Sequence, residues 1–224
     1  MNNTYYKKIL YLLTFCFVGY IALQIKFTNV IGTDVSFTLF DFFAPTAAAL
    51  LGGPLGLLTI FLVGLINLAT HWNGLELVPF IRLFPTLFAV LYFALPQDKK
   101  EGKLIIIVPS LAMILFWLHP VGRQVWYYAL LWLIPIASYF KRNYLFIRSL
   151  GATMTAHSVG GAAFIWAIQI PAEVWQGLLP VVIIERILMA IGISLSYLML
   201  INMFKYLKKK LSSFDQINIE EHYS

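Results

Sequence analysis

Seven stretches of the chain run without a single Asp, Glu, Lys or Arg: 9–25, 42–75, 83–97, 104–122, 124–140, 149–172 and 187–204. Most have the length of one membrane span, about 20 apolar residues. The stretch 42–75 is too long for that. As one straight helix it would reach about 50 Å at 1.5 Å per residue, against a hydrocarbon core of about 30 Å. It contains Gly52-Gly53-Pro54-Leu55-Gly56. Proline lacks the backbone donor and glycine is conformationally permissive, so a break is expected there. The pattern predicts eight helical segments: 9–25, 40–52, 54–71, 79–95, 104–119, 124–140, 145–168 and 178–204. The fold class is all-α, a polytopic transmembrane helical bundle of about 6–8 membrane helices. Residues 1–211 form one domain, and 212–224 a polar, disordered cytoplasmic tail.

Charge placement sets an orientation. With the N-terminus inside, the inner positions are 1–8, 52–54, 96–103, 141–144 and the tail from 205. On or near that side fall 12 of the 16 basic residues, the exceptions being Lys26, Arg82, Arg123 and Arg186. This satisfies the positive-inside rule and places both termini in the cytoplasm.

Composition agrees: 60% of residues are hydrophobic and 12% charged, where soluble domains carry about 25% charged. The net charge of +6 sits in short clusters between apolar runs, not in a basic stripe with interleaved aromatics, which argues against nucleic acid as a partner. Cys16 is the one cysteine, so no intrachain disulfide and no cysteine-based metal site is possible. The first apolar run follows Lys7 and Lys8 as in a signal peptide, but has no small-x-small cleavage pattern; it reads as a retained helix.

The chemistry lies in a few costly residues. The predicted outer loops hold Asp34 and Asp41, then His71, Trp72, Asn73 and Glu76, then His119 and Arg123, then Gln169, Glu173, Trp175 and Gln176. They would line a ligand site or form an aromatic belt with snorkelling arginines. His119, Arg123 and Tyr127 recur at helical spacing. Glu185 and Arg186 fall roughly 12–15 Å inside the last helix at helical rise, where ionisable groups mark functional sites unless paired. Neighbouring residues point about 100° apart, so each needs its own partner; for Arg186 a structural pair with Glu173 or Asp41 is the alternative. Thr153, His157 and Gly161 share one helix face, and Gly160 and Gly161 permit close approach. His157 is either a packing residue or part of a substrate site, and so are Asn67 and His71. No metalloprotease motif, nucleophile elbow or phosphate loop is present, which predicts no enzymatic activity, cofactor or metal.

The stretch from Asp41 to Trp72 resembles the second and third helices of substrate-binding S-components of energy-coupling factor transporters, of the riboflavin and thiamine types. The features that carry the likeness are Asp41, Pro45 and the turn Gly53-Pro54-Leu55-Gly56. The run from Glu185-Arg186, closed by Lys208 to Lys210, is similar to the last helix of that family. The resemblance covers about 60 residues. It implies a small basic membrane protein that captures a vitamin-like solute near the outer face. A transmembrane coupling subunit and two ATPase subunits would energise uptake. The family has six helices and often an Ala-x-x-x-Ala motif in the first. Here that helix offers Gly19 and Ala22, while Ala44 and Ala48 have the spacing on the second segment. The expected substrate-binding set is Asp41, Asn67, His71, Trp72, Arg123, His157, Glu173, Glu185 and Arg186. A membrane scaffold without a ligand is the second reading, and an intramembrane enzyme using His157 and Glu185 the third.

Overall fold

The computed structural model describes residues 3–29, 36–71, 77–95 and 100–210. The predicted tail, Asp34, Trp72, Asn73 and Glu76 lie outside the described residues. Helices occur at each of the eight predicted segments. They are α1 (Asn3–Gln24), α2 (Leu39–Phe43), α3 (Ala47–Leu51), α4 (Gly53–Thr70), α5 (Leu77–Ile81), α6 (Leu83–Ala94), α7 (Leu104–Leu118), α8 (Pro120–Gln124), α9 (Leu133–Tyr139), α10 (Leu145–Ala167) and α11 (Ala172–Lys210). Among the described residues, three helical stretches are both long and apolar enough to cross a membrane: Gly53–Thr70, Leu77–Ala94 and Ala172–Met203.

The break within 42–75 falls at Gly52, whose φ of 83° belongs to the left-handed region that favours glycine. Pro54 then stands in the first turn of α4, where its missing N–H has no carbonyl to serve. Two turns of helix on either side pack closely because Gly56 has no side chain. A β-carbon there would lie 2.5 Å from the Ala48 Cα. Ala48 is therefore buried against α4, and Ala44, in the 3-10 turn that packs on α6, is buried too, so the pair is not a free docking face.

Segment 124–140 departs most from expectation. A short α8 is followed by a 3-10 stretch, Trp126–Trp132, and only then by α9. Pro135 stands in the first turn of α9, where its missing N–H costs least. The predicted face of His119, Arg123 and Tyr127 accordingly does not form on one helix. Segment 79–95 divides at Arg82, and the last helix starts at Ala172, not near 178. A further addition is a small antiparallel hairpin, β1 (Lys26–Asn29) with β2 (Ser36–Thr38), which leads into α2.

Helix α10 is the hub. It packs against α6, α7, α9 and α11, while α4 holds α1, α3 and α6. The ends of α6 and α10 are fastened by arginines. Arg148 donates through Nε (2.7 Å) and Nη2 to the Phe93 carbonyl, and Arg142 donates to the carbonyls of Leu95 and Tyr92. Both guanidinium groups are buried. They serve the otherwise unsatisfied carbonyls at the C-terminus of α6, where the helix dipole also favours a cation. The two residues counted above as inner-side loop charges are thus also helix caps.

Outward faces are apolar. On α11, Ile184, Leu188, Ile191 and Leu195 form one exposed stripe at helical spacing. Only 22%, 28% and 33% of the three spanning windows is buried. Helices this apolar and this exposed are suited to a lipid surround and not to water.

Candidate functional site

A cavity of about 460 Å³ opens among α2, α4, α5–α6, α10 and α11. That lies within the range of small-molecule sites, roughly 300–1,000 Å³. Small and cyclic residues leave the space: Gly64, Gly160, Pro45, Pro79, Pro85 and Pro171 all line it. At Gly160 a β-carbon would meet only Pro85 and Phe164, at 3.6 Å or more. Gly161 is different: a β-carbon there would come within 2.6 Å of Trp132, so that glycine seats an indole ring.

Five of the nine expected residues line this cavity: Asp41, Asn67, His157, Glu185 and Arg186. Arg82, Tyr128, Thr153, Gln169 and Trp175 line it as well. The sequence signals for them were present but weak. Arg82 was one of four basic residues off the inner side, Thr153 shared a face with His157, and Trp175 passed for belt.

The polar groups are held by short local devices. Asp41 Oδ2 accepts from the Thr38 N–H at 2.8 Å and from the Thr38 hydroxyl at 3.0 Å, which starts α2 and fixes the carboxylate. Asn67 Oδ1 accepts from Gln24 Nε2 at 3.3 Å. Arg186, 6% exposed, donates from Nη1 to Thr153 Oγ1 at 3.2 Å. Its Nη2 lies 3.8 Å from Glu185 Oε2, an ion-pair distance but longer than a hydrogen bond. The wide angle between neighbouring helix positions accounts for that separation. Glu173 is not the partner: it is thirteen positions away on the same helix, about 20 Å at helical rise. Because α11 begins at Ala172, Arg186 also sits deeper than expected, about 21 Å from the helix start.

One wall is aromatic. Tyr128 and Trp175 meet edge to face with centroids 5.0 Å apart, and Phe116 packs on both. His157 Nε2 shares a hydrogen bond of 3.2 Å with the Tyr128 hydroxyl. The Trp175 indole N–H is buried and has no hydrogen-bond partner among the described residues; the same holds for Trp132, which does not line the cavity.

Three expected residues lie elsewhere. His71 closes the C-terminus of α4 through Nδ1, 3.1 Å from the Asn67 carbonyl, and is exposed. Arg123 donates from Nη2 to the Leu118 carbonyl at 3.2 Å, capping α7. Glu173 is exposed in the first turn of α11, where a carboxylate suits the helix dipole. Among the described residues no cluster of three His, Cys, Asp or Glu side chains could hold a metal ion.

No family model, curated protein or solved structure matches the chain.

Proposed function

We propose that the chain is a multi-pass cell-membrane protein that binds a small organic solute in this cavity. It acts as the substrate-binding subunit of an uptake system energised by separate coupling and ATPase subunits. The carrying observation is the cavity itself. It lies in a bundle with apolar outer faces and gathers charged groups, the buried Arg186 among them, and an aromatic wall from helices far apart in sequence. Ionisable groups inside a membrane bundle are costly and mark solute paths by default. The likeness of the segment Asp41–Trp72 to S-components adds the transport class.

Ligand-dependent thermal unfolding of the detergent-purified protein tests this reading. A vitamin-like solute at 100 times its Kd should add about 2.7 kcal/mol to native-state stability. The stabilisation should vanish in Arg186→Ala and in Gly160→Leu. The second variant fills the cavity from a position where a β-carbon makes ordinary contact with Pro85 and Phe164, and its unfolding without ligand checks that it is folded. Silence across vitamins, nucleobases, amino acids and their precursors, in a well-folded sample, would leave the scaffold reading in its place.

The same proposal puts both termini on the cytoplasmic side, following the basic residues. Cysteines placed at position 2 and after position 224 in a Cys16→Ser background should react with an impermeant maleimide only after the cells are opened. Labelling of either end in intact cells would refute that orientation.

A further inference from the structure

The cavity's charged side chains are Asp41, Arg82, Glu185 and Arg186, two acidic and two basic. Their formal charges cancel. A solute bearing a single net charge would leave that charge uncompensated beside apolar walls, which is unfavourable. An uncharged apolar solute would cover the same four groups and give them nothing in return. The charge balance therefore favours a solute that is itself balanced and carries both signs.

A second observation gives the polarity of one of its groups. Arg186 is 6% exposed and lines the cavity. A guanidinium can only donate. The Arg186 guanidinium and the hydroxyls of Thr153 and Tyr128 line the same space. A planar anionic acceptor suits this set, since guanidinium matches carboxylate geometry. Glu185 lies beside Arg186, and with Asp41 it offers the complementary acceptors. Tyr128 and Trp175 present ring edges and faces for an apolar or aromatic body.

Building on the solute-binding reading, we infer that the ligand is a zwitterion of amino-acid or amphoteric-heterocycle type. Its carboxylate lies on Arg186, and its cationic group faces Glu185 and Asp41. The selectivity is a property of charge sign, so exchanging the sign of the cavity must exchange the preferred ligand.

The test uses the full chain in detergent and a panel of amino acids, dipeptides and amphoteric heterocycles. Each zwitterion is measured with its amine-only, carboxylate-only and uncharged amide analogues, for example L-tryptophan with tryptamine, indole-3-propionate and indole-3-propionamide. Affinity is read from the ligand-induced rise in unfolding temperature across a concentration series. At least one zwitterion is expected to bind about tenfold or more tightly than all three of its analogues. In Arg186→Gln the preference should pass to the amine-only analogue, and in Glu185→Gln to the carboxylate-only one. Glu185→Gln is isosteric and Arg186→Gln keeps a shorter polar side chain, and a residue that only supported the fold would weaken all four compounds alike. A parent protein that prefers a singly charged or uncharged analogue overturns the zwitterion assignment and leaves solute binding standing. Uniform weakening in both variants overturns it too. Silence of every compound overturns the assignment together with the solute-binding reading.

Discussion

Gly56→Ala is expected to cost roughly 3 kcal/mol of stability, near the upper end of the usual range for overpacking. The added methyl would lie 2.5 Å from the Ala48 Cα, 2.6 Å from the Ala48 nitrogen and 2.9 Å from the Ala47 carbonyl carbon. All three are backbone atoms and cannot rotate aside, so α3 and α4 must move apart. Gly53→Ala is the matched control. It lies in the same turn, and a β-carbon there has no neighbour within 4 Å, so its cost should stay within about 0.5 kcal/mol. Thermal or detergent-induced unfolding of the two variants measures the difference. Equal losses at both positions would mean that the composition of the turn matters and the close helix contact does not.

Arg148→Met should be comparably damaging, at about 3 kcal/mol, the upper figure for a hydrogen bond made by a charged group. The substitution keeps the length of the stem but removes both donors to the Phe93 carbonyl, and it removes the cation 4.4 Å from the centre of the Phe93 ring. Arg148→Lys should recover only part of the loss, because one ammonium cannot reproduce the guanidinium geometry. Lys141→Met removes a basic residue of the same chain end from an exposed position and should change little. If the Arg148 and Lys141 variants unfold together, the arginines do not cap α6. Losses from Arg142→Met and Arg148→Met should be less than additive, since both serve the same helix end.

Helix positions were legible because apolar runs and their charged punctuation record burial in lipid directly. The break at Gly52 was legible for a local reason: few residues other than glycine tolerate its φ. Segment 124–140 was not, because average apolarity does not distinguish α-helix from the 3-10 stretch at Trp126–Trp132. Arg142 looked like a loop charge and Arg148 like a basic residue near the inner face, since a sequence shows the charge but not the carbonyls it meets. The hairpin of 26–29 with 36–38 was too short to announce itself. Within the cavity, Glu185, Arg186 and His157 stood out by their cost in an apolar run. Arg82, Tyr128 and Trp175 did not, because residues of these types are equally at home at a membrane interface. Arg123 and His71 looked functional for the opposite reason: their role as caps at helix ends becomes visible only with the helix ends in place.

The α6 and α10 pair has a mechanical consequence. The helices run past each other with the C-terminal end of α6 tied by arginines to the beginning of α10. The cavity is lined by their other halves, Leu83 to Ala89 on α6 and Thr153 to Phe164 on α10. The two helices are therefore joined at one end like the leaves of a hinge, and toward the other Pro85 stands opposite Gly160. In a pair joined this way, a change of angle moves the cavity half more than the half tied by arginines.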